Sequence, residues 1–180
     1  MVDPMIISLN SQELDFLDLD PPEPDFRERF LALDLALEET VLIPVESVSK
    51  VLHVQINDIL PVPDIPAYVR GIFNWQGQML WLVNIARSIN VNHFNHDSLA
   101  PGQDFYTVII LRYGQNQLGI IVSQIYDIEL HNPEQMKRIG AGLFHSQLIP
   151  FSAGYLPDRG VVVLDSPKII KYFMSNGHFI

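Results

Sequence analysis

Residues 61–91, PVPDIPAYVRGIFNWQGQMLWLVNIARSINV, contain the pattern that decides the fold. Three prolines at the start of this stretch fix an extended backbone. Two strand-like runs follow at 69–74 and 78–85, and the Gln76–Gly77 pair between them suits the tight turn of a β-hairpin. Asn84, near the end of the second run, is expected to bond backbone groups where the strand ends, because an unpaired polar group is costly to bury.

Strand patterns recur over the rest of the chain, so the protein is predicted to be mainly β with a few short helices. Residues 30–43 indicate two strands with a turn at Glu38–Glu39, and Pro44 ends the second strand. The spacing of Val45, Val48, Val51 and Leu52 predicts one or two helical turns. The remaining elements are a hairpin of 106–114 and 117–125, a strand over 161–165, and a helix over 166–173 with Ser166 as its N-cap and Pro167 at its first position.

Two parts of the chain resemble each other. Residues 40–51 and 117–128 align at a separation of 77 positions and match apolar with apolar at Val41/Leu118, Ile43/Ile120, Val45/Val122, Val48/Ile125 and Val51/Ile128. A second similarity is a pair of glycines followed by an apolar run and a polar residue. This order occurs at Gly71, Gly77 and Asn84 and again at Gly154, Gly160 and Asp165. Valine-rich strands also resemble one another by chance, but two similarities in one order favour a duplicated small barrel. Val45 and Val122 should then occupy equivalent buried positions.

Most of the negative charge lies in the first residues. The 180-residue chain has a formal net charge of -10, and residues 1–25 hold seven acids with no lysine or arginine. Together with Pro21, Pro22 and Pro24, this composition predicts a disordered acidic tail over 1–26. Within it, LDFLDLD at 14–20 is interpreted either as part of a solvated tail or as a docking peptide that mixes acids with apolar side chains. Neither the tail nor the nearly neutral body suits nucleic-acid binding, which requires a basic surface.

The sequence gives little support to catalysis. It contains no cysteine, so disulfides, thiolate chemistry and cysteine-based zinc sites are excluded. His93 and His96 are the one closely spaced histidine pair, and the asparagines around them favour a polar loop over a metal site. No phosphate-binding, dinucleotide or serine-nucleophile motif is complete. No apolar run approaches the length of about 18 residues that spans a bilayer, and no signal segment is evident, so a cytoplasmic protein is expected.

The stretch at 61–91 resembles the signature of the CheW-like family, through Pro63, Pro66, Tyr68, Val69, Gly71, Ile72, Asn74 and Gly77. The hairpin at 106–125 and the segment from Gly154 to Asp165 are similar to later strands of that family, so the resemblance covers about residues 28–172. It implies two small SH3-like β-barrels packed around a shared core. The corresponding domain is placed at 27–175, with intertwined halves at about 27–100 and 101–175.

The resemblance also implies a function. CheW-like proteins are cytoplasmic adaptors that couple a chemoreceptor tip to the regulatory domain of a histidine kinase, in chemotaxis, phototaxis or type IV pilus motility. It implies a location at membrane-associated receptor arrays. It does not imply catalysis, a cofactor, a metal or direct membrane insertion. Two alternatives stay open: a divergent scaffold that has lost kinase coupling and recruits another partner, and a β-barrel that binds a small molecule or acts as an enzyme.

The hairpin differs from the family pattern that the resemblance implies at four positions. Gln76 stands where the family has arginine, Trp75 where it has leucine, Trp81 where it has proline and Asn84 where it has aspartate. Charge is replaced by aromatic surface, and exposed aromatic residues at turns often anchor protein interfaces. We therefore predict that Trp81 fixes the hairpin to the core and Trp75 is presented to a partner, and that the partner-binding residues are Val69, Asn74, Trp75, Gln76, Gly77 and Trp81.

Overall fold

In the computed structural model, residues 25–35, 40–89, 102–139 and 146–175 are described. They form the strands β1 (Glu28–Asp34), β2 (Thr40–Pro44), β3 (Val48–Gln55), β4 (Val69–Trp75), β5 (Gln78–Val83), β6 (Phe105–Tyr113), β7 (Asn116–Val122), β8 (Gln124–His131), β9 (Ser152–Leu156) and β10 (Val161–Leu164), and the helices α1 (Ile85–Ile89) and α2 (Ser166–Ser175). The predicted mainly β fold is confirmed. The predictions for the acidic tail, the Glu38–Glu39 turn and the His93–His96 loop lie outside the described residues.

The strands form two five-stranded sheets, and each sheet combines strands from both halves of the chain. The first sheet has the order β8-β1-β2-β10-β9, and the second has the order β3-β6-β7-β5-β4. Strand β3 therefore leaves its neighbours in sequence and pairs with β6, while β8 pairs with β1. When β1 to β5 are matched in order with β6 to β10, the two sheets have the same arrangement. The structure thus confirms two similar units, and their strands interlace.

The sheet registers reproduce the alignment found in the sequence. In the first sheet Leu42 faces Val163 in the parallel pairing of β2 with β10. In the second sheet Gly119 faces Leu82 in the parallel pairing of β7 with β5. Leu42 and Gly119 are therefore equivalent, at the separation of 77 positions that the sequence showed. The similarity of the two segments reflects duplicated structure and is more than a shared strand composition.

Apolar side chains form three clusters, and the largest is shared by the two sheets. This shared core also receives α1 and α2, and its buried members include Leu33, Ile43, Val83, Ile109, Ile120, Leu164 and Phe173. A second cluster lies inside the second sheet and contains Val54, Leu80, Leu82, Tyr106, Val108, Ile110 and Ile121. A third lies inside the first sheet and contains Phe30, Ala32, Leu42, Leu156, Val161 and Val163. Alternate residues of each strand thus fill a barrel interior or the shared core.

The predicted equivalence of Val45 and Val122 holds in register but not fully in burial. Both side chains pack against the shared core, and Val122 is 1% exposed. Val45 is only partly buried, because β2 ends at Pro44 and Val45 begins a short 3₁₀ turn outside the sheet. The next residues, Val48–Gln55, form strand β3 and not the helical turns that their apolar spacing predicted. Pairing with β6 overrides that weak helical signal.

Two further boundaries differ from the sequence predictions. The run 117–125 is interrupted at Ser123, whose backbone N–H and side-chain hydroxyl both donate to the carbonyl oxygen of Asp34, at 2.9 Å and 3.0 Å. The N-cap of α2 is Asp165 and not Ser166: its Oδ1 accepts from the Lys168 N–H at 2.9 Å, and its carbonyl accepts from the Ile169 N–H. A carboxylate is a good acceptor for the unpaired N–H groups of a first helical turn.

Two equivalent glycines allow each barrel to close. The backbone of Leu60 exchanges two hydrogen bonds with Ile72 on β4, and the backbone of Lys137 exchanges two with Tyr155 on β9. These contacts bring a carbonyl oxygen against a glycine in each case. A Cβ atom on Gly71 would lie 2.3 Å from the Leu60 oxygen, and one on Gly154 would lie 2.8 Å from the Lys137 oxygen. Neither position has space for a side chain.

Replacement of Gly71 should therefore be far more harmful than replacement of Gly77. Gly71 has a φ of +137° and no space, whereas Gly77 has a φ of +82° and no atom within 4 Å of a new Cβ. We expect Gly71→Ala to lower the free energy of unfolding by about 3 kcal/mol, through backbone strain and loss of the Leu60–Ile72 bonds. Gly77→Ala should cost about 1 kcal/mol. Urea denaturation measures both, and equal losses would contradict this account of barrel closure.

Candidate partner-binding site

The hairpin of β4 and β5 turns at Gln76 and Gly77, as the sequence predicted. Both residues have positive φ, 52° and 82°, which gives the turn the twist that joins antiparallel strands without splaying them. The Gly77 N–H donates to the Asn74 side-chain oxygen at 3.0 Å. Asn74, Gln76 and Gly77 are all exposed. The turn is therefore a well-defined and accessible element of the surface.

The two faces of this hairpin have different roles. Leu80 and Leu82 point into the barrel, and Phe73 and Trp75 pack against the same inner cluster. The opposite face carries the cross-strand pairs Ile72/Trp81 and Asn74/Met79. We call these four residues, Ile72, Asn74, Met79 and Trp81, the hairpin surface. It continues from solvent at the turn to the edge of the shared core.

The two tryptophans lie on opposite faces of the hairpin. Trp81 is partly buried and packs against the shared core, as predicted. Trp75 is also partly buried and packs against the inner cluster of the second sheet, so the prediction that its ring is mainly presented to a partner is wrong. The alternation of side chains along β4 is the physical reason, because it places Trp75 on the same face as Phe73.

Sequence reasoning missed the most exposed apolar side chain of the hairpin. Met79 is 76% exposed and faces solvent beside Asn74. The sequence carries no signal for this exposure, because Met79 to Val83 are five consecutive apolar residues and no polar alternation marks the outward face. Val69, in contrast, is 6% exposed and belongs to the shared core. Its side chain leaves no area for a partner, which corrects its inclusion among the binding residues.

Asn84 performs the role that the sequence predicted. It is 3% exposed, its side-chain oxygen accepts from the Arg87 N–H at 3.1 Å, and its backbone N–H donates to the Tyr68 carbonyl at 2.8 Å. It therefore caps α1 as Asp165 caps α2, which makes the two polar residues of the second sequence similarity structurally equivalent. This cap fixes the end of β5 and with it the base of the hairpin surface.

A second exposed apolar area lies on the edge strand β8. Tyr126, Ile128 and Leu130 are 50%, 49% and 49% exposed, and we call them the β8 surface. Within the described chain, β8 pairs with β1 along one side only. Ile128 faces Leu31 across that pair, so it extends the shared core outward to the edge of the first sheet. The sequence alignment matched Ile128 with Val51, which is also exposed (42%), but did not identify either as surface.

Comparison with known proteins identifies the family. The family model of the CheW-like domain matches residues 29–173. The chain belongs to the CheW-like family. It is also similar to the chemotaxis protein CheW of Treponema pallidum (strain Nichols), with 29% identity over 142 residues that cover 74% of this chain and 77% of that protein.

Solved structures contain the same fold. The crystal structure of the scaffolding protein TtCheW from Thermoanaerobacter tengcongensis superposes with a TM-score of 0.63 at 14% sequence identity. The match covers 77% of this CheW-like chain and 89% of the TtCheW chain. At this identity the likeness supports the fold alone, and it agrees with the two SH3-like barrels described above.

Metal sites, membrane-spanning helices and cavities are the other features that could indicate a function in the described part of this CheW-like chain. Among residues 25–35, 40–89, 102–139 and 146–175, no three histidine, aspartate or glutamate side chains form a group that could hold a metal ion. In the same ranges no helix is long and apolar enough to cross a membrane. Two cavities of about 410 Å³ and 320 Å³ are open grooves on the surface.

An ion-pair network fixes β8 from the side opposite the β8 surface. Glu129 accepts from the Arg159 guanidinium at 2.9 Å and 3.2 Å and from the His131 ring at 2.8 Å. Arg159 above all, together with His131, lowers the pKa of the Glu129 carboxyl below its ordinary value. Arg159 lies in the turn between β9 and β10, so the network links the two edge strands of the first sheet.

Removal of Arg159 should produce a pH-dependent loss of stability. A carboxyl whose pKa is lowered by folding stabilises the protein above its unfolded pKa, and this contribution is lost as the pH falls through the folded pKa. Arg159→Gln should therefore lower the melting temperature slightly at pH 7, and the difference from wild type should disappear as Glu129 becomes protonated. Melting curves from neutral to acid pH test this, with Arg138→Gln as a control for loss of an exposed positive charge. A difference that persists in acid would show that the pairing with Glu129 is not its cause.

Proposed function

We propose that this protein is a non-catalytic adaptor that couples chemoreceptors to a histidine kinase in a motility pathway. Its partners are the regulatory domain of the kinase and the receptor tip, and it acts in the cytoplasm at membrane-associated receptor arrays. Membership of the CheW-like family and the likeness to a chemotaxis protein support this role. The hairpin residues Asn74, Gln76, Gly77 and Trp81, with Trp75 as their support, are proposed to contact one of these partners.

The observation that carries the proposal is the presence of two exposed apolar surfaces on different sheets. The hairpin surface lies on the second sheet, with Met79 76% exposed. The β8 surface lies on the first sheet, with three side chains each about half exposed. Exposed apolar patches on soluble proteins usually mark interaction sites. Two such patches joined by one rigid core provide what an adaptor needs, since each can bind a partner while the other is occupied.

The chemistry of the hairpin favours an apolar partner. Gln76 is exposed at the turn without a positive charge, and Met79 adds an exposed apolar side chain beside it. Binding at this surface should therefore depend weakly on salt, because few exposed ion pairs would be screened. The same neutral turn supports the second candidate, a divergent CheW-like scaffold that does not couple to a kinase and recruits another partner.

Charge insertion into each surface should separate the two binding functions. Met79→Lys should weaken binding of one partner by about 30-fold, equivalent to about 2 kcal/mol at an interface hot spot. Ile128→Lys should weaken binding of the other partner by a similar factor. Both side chains are exposed, so neither change should unfold the protein. Calorimetric titration with the kinase regulatory domain and with the receptor tip, at low and high salt, measures the effects.

Matched variants distinguish the loss of apolar surface from the added charge. Gln78→Lys places the same charge beside Met79, and Gln124→Lys places it on the same strand as Ile128, without removing an apolar side chain. Both controls should bind nearly as wild type does. If wild type binds a receptor tip but no kinase domain, the divergent scaffold is the correct function. If neither Met79→Lys nor Ile128→Lys alters binding, the two surfaces are not the partner sites.

A further inference from the structure

A third surface feature is a groove between helix α2 and the tip of the β6–β7 hairpin. It has a volume of about 320 Å³. Tyr113 and Asn116 form its hairpin side, while Ile170, Lys171 and Met174 are among the residues of its helix side. Tyr113 is 57% exposed, so a large aromatic face is open to solvent at the rim. The groove belongs to neither the hairpin surface nor the β8 surface.

The charges that line this groove are positive. Lys168 and Lys171 project from one side of α2, and no acidic side chain is among the lining residues that the structure describes. The Asp165 carboxylate lies 3.5 Å from the Lys168 ammonium, which also donates to the Ser152 carbonyl at 2.7 Å. Lys171 is exposed, one turn further along the helix. An apolar floor with a positive rim suits a peptide that combines apolar and acidic side chains.

The described chain begins close to this groove. Arg27 and Arg29, at the start of β1, line another cavity together with Val48 of β3. Val48 pairs with Leu111 on β6, and Tyr113 lies two residues beyond Leu111. The distance from Val48 to Tyr113 is therefore on the order of 10 Å, because it combines one spacing between strands with two residues along β6. The segment that precedes Asp25 thus enters the molecule near the hairpin side of the groove.

That preceding segment has the complementary chemistry. Residues 14–20, LDFLDLD, alternate four apolar side chains with three aspartates, and residues 1–24 contain no lysine or arginine. We propose that this segment of the same chain docks in the groove, with its apolar side chains on Tyr113 and Met174 and its carboxylates towards Lys168 and Lys171. The six residues from Leu19 to Asp25, where the described chain begins, can span about 20 Å when extended, which exceeds the estimated distance from Val48 to Tyr113. The proposal is independent of the adaptor function.

Disulfide trapping in the full-length chain tests the docking directly. The native sequence has no cysteine, so Gln12→Cys and Asn116→Cys introduce the sole two thiols, one beside the docking segment and one at the groove rim. Docking should raise their effective concentration, and an intrachain disulfide should form about tenfold faster than between Gln12→Cys and Gln78→Cys. Asn116 and Gln78 are both exposed and polar, which makes the second pair a matched control.

Charge variants on the same cysteine pair test the chemistry of the groove. Lys171→Glu and high salt should each slow formation of the Gln12–Asn116 disulfide several-fold, because both weaken the attraction of the aspartates. Adding Asp18→Lys to Lys171→Glu should restore the rate. Equal rates for the groove and control pairs would overturn the proposal. So would a product that is linked between two chains, or a rate that neither Lys171→Glu nor salt changes.

Discussion

The pairing of strands from both halves of the chain within each sheet is the constraint on which the rest of the structure depends. Because β3 pairs with β6 and β8 pairs with β1, each barrel contains two strands from one half of the chain and three from the other. This arrangement brings the outer faces of the two sheets against each other, where side chains from both sheets and both helices bury the shared core. The barrels are therefore held in one relative orientation by backbone hydrogen bonds as well as by apolar contact.

The proposed adaptor function depends on that fixed orientation. The hairpin surface and the β8 surface each continue from the edge of the shared core into solvent, at Trp81 and at Ile128. Gly71 closes the second barrel against Leu60, and Asn84 caps the helix after β5, so the hairpin is fixed at both ends. A rigid body with separate binding surfaces can hold two partners at a constant geometry, and no catalytic group is needed for that role.

Much of this arrangement could be predicted from the sequence, and the reasons for the failures are specific. The glycine spacing and the equivalence of Asn84 with Asp165 were visible because backbone approach and helix capping restrict residue type. The third strand of each unit could not be predicted. In β3, Val48–Gln55, the apolar spacing suggests a helix, and the pairing partner of Val48 on β6 lies more than fifty residues further along the chain. Which face Trp75 occupies, and how exposed Met79 is, depends on register, and a shift of one residue reverses it.

The central claim is that one rigid body presents two independent surfaces, and simultaneous binding tests it most directly. The measurement is analytical ultracentrifugation of the full-length protein mixed with the kinase regulatory domain and the receptor tip, separately and together. The account predicts a ternary complex whose mass is the sum of all three components, with the affinity for each partner nearly unchanged by the other. Displacement of one partner by the other would show that they compete for a single surface, and would contradict the account.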